Sequence, residues 1–337
     1  MKCVILDEPN SFRMEDREAP TPAPGEALVR MVRMGICGTD LHAFQGHQPF
    51  FSYPRVIGHE LAGEVVALGE GTEGVRVGDP VVVLPYLACK ECIACRRGRP
   101  NCCQNIRVMG VHVDGGLREL VPVPADHLIP APGLDWDQRA LVECLSIGAH
   151  AIRRAAPDAG ENVLVIGAGP IGLGVLQFAR RAGARPIALD LNHERLRFWR
   201  EELGGGDVIG PDDDASGKLL ELCGGDMPTC VIDATGHVGS MCAALDYVAH
   251  GGRLVYVGLT KEKFGWNHPD FHMRETTLLA SRNATRDDFV AVMDACREGA
   301  VAPGCLVTHR TNLGEVVDRF PSYIDPATKT VKALIEF

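Results

Sequence analysis

No stretch of this sequence is apolar for long enough to suggest a membrane span. The longest near-apolar run, 163–179, carries four glycines, a proline and Gln177, and it falls short of the roughly 20 residues needed to cross a bilayer. The opening MKCVILDEPNSF has one lysine and an apolar run of only four residues. The apolar core of a secretory leader is missing there, and a cytoplasmic protein is expected. Basic charge is also in short supply: 34 Lys and Arg face 44 Asp and Glu, a net charge of -10. A nucleic-acid footprint needs a basic stripe, so neither nucleic acid nor membrane is expected as a partner. Internal repeats and low-complexity tracts are absent as well, and the acidic PDDDASG from Pro211 reads as a solvated turn. What is there is a chain of 337 residues, 46% hydrophobic, enough for packed cores in roughly two domains of about 150 residues each.

Cysteine, by contrast, is plentiful at 13 residues. In a reducing compartment a chain of this size neither keeps nor needs a disulfide framework, which leaves metal binding or inert burial. Five of the cysteines fall in LACKECIACRRGRPNCC, 87–103, and Cys89, Cys92, Cys95 and Cys103 fit C-x2-C-x2-C-x7-C. Four thiolates on one tight loop can converge on a tetrahedral zinc, and the charged residues around them argue against a buried thiol cluster. Cys102 is then the spare. Four sulfurs close the coordination sphere, so this zinc is expected to hold a lobe together, with the chemistry elsewhere.

The texture changes near residue 148. Before it the chain is rich in short strands and turns: ALVRMVRMGIC alternates from Ala27, ELAGEVVALGEG follows from Glu60, DPVVVLPYL from Asp79, and PAPGE, VGDP and PVPAD punctuate them. After Gly160 it becomes β-α-β: NVLVIGAG and RPIALD as strands, PIGLGVLQFARRAG and HERLRFWREELG as helices. CVIDATG, GRLVYVG and TTLLASRN follow as further buried strands, predicting an α/β architecture with a parallel sheet and helices on both faces. FVAVMDACREG reads as a helix, and the tail TVKALIEF as a strand returning to the first domain.

Gly167, Gly169 and Gly172 form G-x-G-x-x-G between the first of these strands and its helix. The three glycines serve a tight turn, a close approach of backbone to pyrophosphate, and helix-on-strand packing. Asp190 ends the second strand, where a carboxylate accepts hydrogen bonds from an adenine ribose and repels a 2′-phosphate. NAD is therefore favoured over NADP, with Arg195 close enough to leave some NADP tolerance. A nicotinamide needs an alcohol or carbonyl partner that something polarises. The candidates are Cys37, Thr39, Asp40 and His42 in GICGTDLH, His59 and Glu60 in GHE, and Glu143 and His150 in VECLSIGAH. Thiolate, imidazole and carboxylate are ordinary zinc ligands, but each also has an ordinary structural role, and sequence separation does not prove convergence.

GICGTDLH, GHELAGEVVALGEGTEGVRVGDPV, the four-cysteine loop, GAGPIG and DATG stand in the order found in the zinc-dependent medium-chain dehydrogenases, which the chain resembles over essentially its full length. The resemblance implies a GroES-like β-rich catalytic domain over 1–147 and 286–337, with the zinc lobe at about 87–104, and a Rossmann domain over 148–285. It implies two zinc ions per chain and NAD. Cys37 and His59 look like ligands of the catalytic zinc, Glu60 like a further ligand, directly or through water. Glu143 falls where the polyol-dehydrogenase branch carries a glutamate in place of a cysteine and is read as a further zinc ligand; the branch usually reads Glu-Pro-Leu and this chain Glu-Cys-Leu, so Cys144 competes for the role, with Glu143 favoured. Thr39 would bind the alcohol oxygen, His42 relay its proton, and Asp40 orient a ligand histidine. Gly167, Gly169, Pro170, Ile171, Gly172, Asp190, Arg195, Thr235, Val257, Ser281 and Asn283 would surround the cofactor. The implied reaction is oxidation of a secondary alcohol, the metal lowering the alcohol pKa and hydride passing to the nicotinamide.

GHQPFFSYPRVIGHE, PYLACKECIACRRGRPNCC, VMGVHVDGG and SRNAT are similar to segments of the bacterial hexonate dehydrogenases, the L-galactonate 5-dehydrogenases among them. That branch implies C5 oxidation of L-galactonate to tagaturonate; L-gulonate, L-idonate, a polyol such as sorbitol, and threonine are the alternatives. The substrate carboxylate wants a basic partner, and His112, Arg118 and Arg282 are candidates, with Gln48, Phe50 and Phe51 at the entrance. A zinc-loop binding module would leave the glycine turn unexplained, and a zinc-free enone or quinone reductase would not need Cys37, His59 and Glu143. A homo-oligomer, dimer or tetramer, is expected by resemblance, with the TTLLASRN edge as a pairing surface.

Overall fold

The computed structural model describes residues 1–337, which divide into two compact units. The first comprises 1–144, 285–299 and 306–337, the second 145–284 and 300–305. Both divisions differ slightly from the expected 1–147 and 286–337. The boundary falls between Cys144 and Leu145, inside a continuous helix, and 300–305 goes with the second unit, where the Gln177 side chain accepts the Ala302 N–H at 2.9 Å.

In the first unit a hairpin of β1 (Lys2–Glu8) and β2 (Ser11–Asp16) precedes β3 (Glu26–Ile36), whose eleven residues are long enough to take three partners. One edge of β3 pairs with β4 (Glu60–Leu68). The other pairs with a later strand, Leu120–Pro124, along 26–30 and with the tail strand Lys332–Glu336 along 33–36. Between β3 and β4 lies the short helix α1 (Gly38–Phe44). A mostly antiparallel seven-stranded sheet results, with strand Val307–Asn312 at one end. Its core is continuous from Val4 and Leu6 through Met31 and Met34 to Ile57, Leu61 and Leu117, which is the apolar face that the alternating pattern anticipated. The tail strand does return to this unit, and its register sets Ala333 opposite Ile36. Lys332 therefore lies one step on, beside Cys37. Two-residue strands β5 (Tyr86–Leu87) and β6 (Arg107–Val108) pair at the base of the cysteine loop.

The second unit holds six parallel strands: β7 (Asn162–Ile166), β8 (Arg185–Leu189), β9 (Val208–Ile209), β10 (Cys230–Asp233), β11 (Arg253–Tyr256) and β12 (Thr277–Ala280). Their spatial order is β9-β8-β7-β10-β11-β12, every neighbour pair parallel. The chain runs outward from β7 in one direction, then returns to β10 and runs in the other. Such a reversal opens a crevice at the carboxyl ends of β7 and β10, the ligand position of doubly wound sheets. The connecting helices include α2 (Pro170–Arg181), α3 (His193–Glu201) and α4 (Ala215–Leu222). One expectation fails here: TTLLASRN is not a buried strand. It closes the sheet with β11 on one edge only, leaving Thr277, Leu278 and Ala280 exposed.

Candidate active site

The cysteine loop assembles as its spacing predicts. Donor sulfurs of Cys89, Cys92, Cys95 and Cys103 all lie within 4.8 Å of one another, while Cys102 is exposed and stands outside the group. Lys90 and Gly98, at φ of 64° and 71°, bend the chain around the cluster. Backbone N–H groups aim inward: Cys89 N–H at the Cys103 sulfur (3.2 Å), Cys92 N–H at the Cys89 sulfur (3.4 Å) and Asn105 N–H at the Cys103 sulfur (3.3 Å). Backbone donors from Cys95 and Gln104 bring the Cys92 thiol down to about 6, which favours the thiolate a metal needs.

A second group is built from distant segments. Donor atoms of Cys37, His59 and Glu60 also lie within 4.8 Å of one another. Cys37 is the residue before α1, and His59 and Glu60 open β4. Asp40 ties the two segments together: Oδ2 accepts the Cys37 N–H (2.9 Å), and Oδ1 accepts the Gly58 N–H (3.3 Å) and stands 3.6 Å from His59 Nδ1. Burial opposes a charge on His59, but Asp40 and then Cys37 overcome it and raise its pKa well above the ordinary value. Glu60 is fully buried, and its Oε1 accepts from Lys332 Nζ at 2.7 Å. Burial opposes a charge on Lys332, yet the negative groups around it, the Glu60 carboxylate at 2.7 Å among them, raise its pKa well above the ordinary value. Gly35, paired with Glu60 across β3 and β4, makes room for the carboxylate, since a Cβ there would come within 1.8 Å of Oε2.

Glu60 Oε2 is buried with no hydrogen-bond partner. An orphaned carboxylate oxygen beside a thiol and an imidazole is a zinc donor set of the catalytic kind, with three protein ligands and a fourth position for a small oxygen ligand. Both clusters therefore fit zinc. Glu143 stands outside the three-donor group: its Oε1 accepts from the Tyr86 hydroxyl. Burial raises its carboxyl, His59 pulls it back and Glu60 raises it again, leaving it at about 7. Cys144 is buried too, its thiol pushed far up by desolvation. Sequence reasoning missed Tyr86 and Lys332. Only Lys332 leaves a trace, as the one basic residue in the strand TVKALIEF.

Around this centre Thr39 is half-buried and His42 exposed. Phe50, 57% exposed, stacks on His112 with centroids 6.4 Å apart; Gln48 and Phe51 are half-buried beside it in sequence. The Val108 N–H donates to His112 Nδ1 at 3.1 Å, which makes Nε2 the protonated nitrogen of the neutral ring. Arg118 sits differently from a carboxylate binder. Its backbone bridges to Cys3 on β1, while its side chain donates to the Gly115 carbonyl and lies near the charge of Asp114. Arg282 is exposed and belongs to the second unit, and His150, buried on the long helix Trp136–Ala155, belongs there too.

In the second unit the glycine turn has the expected form. Gly167 has φ of 95° and a Cβ on Gly172 would meet the Gly167 carbonyl at 1.7 Å, so neither tolerates a side chain. Gly169 precedes α2, with Pro170 and Ile171 opening the helix, and space is open above it. That is the geometry of an anion site at a helix N-terminus. Asp190 directly follows β8 and is buried, accepting from Ala168 N–H (2.6 Å) and Asn192 N–H (2.8 Å), with Arg195 Nη1 at 3.6 Å. Thr235 follows β10 and donates to Asp233; Ser281 is buried with its hydroxyl unpartnered; Asn283 has φ of 51°, and Val257 follows β11.

The alcohol dehydrogenase GroES-like domain matches residues 23–133, and the zinc-binding dehydrogenase domain residues 170–298. L-galactonate-5-dehydrogenase of Escherichia coli K12 is 42% identical, over 100% of this chain and 99% of its own. 2-Dehydro-3-deoxy-L-galactonate 5-dehydrogenase of Pseudoalteromonas atlantica is 32% identical over 97% and 96%. Among solved structures, the alcohol dehydrogenase RspB of E. coli CFT073, complexed with NADH, superposes with a TM-score of 0.93 at 33% identity, covering 100% of this chain and 99% of its own. The chain belongs to the zinc-dependent medium-chain alcohol dehydrogenase family. It is an oxidoreductase acting on an alcohol with a nicotinamide cofactor.

Proposed function

We propose that this enzyme oxidises a secondary alcohol of a sugar acid with NAD, L-galactonate to tagaturonate being the reading best supported. The observation that carries the chemistry is the group of half-buried Cys37 with buried His59 and Glu60 and its orphaned carboxylate oxygen. For the substrate, the support is a full-length relative, 42% identical, that bears the L-galactonate name. Zinc, when bound, supplies Lewis-acid polarisation of the alcohol oxygen, and the nicotinamide supplies the hydride acceptor. In this reading Cys37, His59 and Glu60 hold the catalytic metal and Asp40 fixes the His59 ring. Thr39 binds the alcohol hydroxyl oxygen and His42 moves its proton outward. The four cysteines hold a second, structural zinc. Lys332 balances charge where Cys37, Glu60 and Glu143 crowd together.

For the cofactor, the buried carboxylate of Asp190 favours NAD by repelling a 2′-phosphate. Its backbone hydrogen bonds keep it in place. For the substrate carboxylate, His112 offers an Nε2 donor next to the exposed Phe50, and Arg282 offers a guanidinium. We further infer a cytoplasmic homo-oligomer, in which the half-open edge of β12 is the pairing surface.

NADH formation by the zinc-loaded protein tests this with L-galactonate, L-gulonate, L-idonate, sorbitol and threonine. Selective turnover of L-galactonate supports the reading. Turnover of sorbitol or threonine alone keeps the reaction class and rejects the sugar acid, and inactivity on all five rejects the substrate class.

A further inference from the structure

Glu143 presents a problem that the three-donor centre does not solve. It is buried, it interacts electrostatically with both His59 and Glu60, and it carries a carboxylate able to bind zinc. If it joined Cys37, His59 and Glu60, four protein ligands would close a tetrahedral sphere, as in a structural site, and no position would remain for substrate. Something in the chain must keep it back.

The Tyr86 hydroxyl donates to Glu143 Oε1, and Glu143 lies outside the group of converging donors. Tyr86 is 5% exposed and its ring meets Phe289 edge-on, centroids 6.3 Å apart. Its backbone is fixed as well, because β5 pairs Tyr86 with Val108. Glu60, by contrast, has one oxygen held by Lys332 and the other unpartnered. Each glutamate has one oxygen engaged, but Glu60 keeps Oε2 bare within the donor group, whereas Glu143 is tied to the Tyr86 phenol and stands outside it.

We propose that Tyr86 is a positioning residue that holds Glu143 beside the catalytic metal and off it, so that the centre keeps a position for substrate. This rests on the reading of Cys37, His59 and Glu60 as a metal centre. Removing only the hydroxyl, in Tyr86→Phe, leaves Glu143 buried without its donor, a costly state. Coordination to the metal then relieves it. The consequence is a closed site that resists outside ligands, a rise in KM larger than any fall in kcat, and slower loss of the metal.

The test uses full-length protein with cobalt(II) exchanged into the Cys37 centre and zinc kept in the cysteine loop, with Cys37→Ser as the spectral blank. The visible absorption of cobalt reports its coordination, and imidazole is titrated as the outside ligand. In wild type, imidazole shifts the spectrum. In Tyr86→Phe the resting spectrum changes and imidazole affinity falls at least tenfold. In Tyr86→Phe/Glu143→Gln, whose amide is a poor zinc ligand, the imidazole response returns. An unchanged spectrum and titration in Tyr86→Phe would overturn the proposal, as would a loss that the double variant fails to restore. Absence of any Cys37-dependent cobalt signal in wild type would instead bring down the metal-centre reading, and this proposal with it.

Discussion

The first unit carries two cysteine-bearing clusters with opposite designs. In the loop at 89–103, four identical donors come from fifteen residues of chain, partly exposed, and backbone N–H groups complete the setting. In the centre at Cys37, His59 and Glu60, three unlike donors come from two strand ends, and a second circle of Asp40, Lys332, Tyr86 and Glu143 governs them. A closed sphere needs only a loop of the right length. An open one needs neighbours that orient each ligand and keep surplus donors away, because burial drives any nearby carboxylate toward the metal. The difference separates a site that stabilises from one that can turn over substrate.

Substitutions sharpen that contrast. Cys37→Ser removes a donor from the open centre and is expected to lower kcat/KM by roughly a thousandfold or more, with thermal unfolding changed little; steady-state kinetics and a melting curve read both. Lys332→Met takes from Glu60 Oε1 its buried ammonium partner, and breaking such a buried pair costs about 3–5 kcal/mol. Urea denaturation of the zinc-loaded protein should show that loss, and an unchanged midpoint would mean the metal alone neutralises Glu60. Cys95→Ser should do the reverse of Cys37→Ser, removing folding free energy of several kcal/mol and lowering Tm by roughly 10 °C. Activity per folded molecule below the new Tm should be largely retained. The smallest effect is expected of Cys102→Ser. An exposed residue outside the cluster should change stability by less than about 0.5 kcal/mol and leave the metal content as it was.

What the sequence discloses follows the same division. The cysteine loop and the glycine turn are local, with donors or glycines a few residues apart, and spacing alone carries their geometry. Cys37 and His59 stand 22 positions apart, and their pairing depends on Asp40 reaching from α1 to Gly58 and His59. Glu60 and Glu143 could not be ranked from the sequence, because the choice depends on Tyr86 and Lys332. Lys332 reaches the centre only through the register of the tail strand on β3. The edge position of β12 matches the expectation, but its apolar run gives no sign that Thr277, Leu278 and Ala280 are exposed. Arg118 offers a guanidinium in the sequence, but in the fold its Nε donates to the Gly115 carbonyl three residues away.

The zinc content of the wild-type protein beside that of Cys37→Ser tests the two-centre account most directly. Two zinc ions per chain in the wild type and one in the variant, with the fold intact, is the predicted result. Equal zinc in both proteins would contradict it, because Cys37 would then hold no metal and the open centre would not exist.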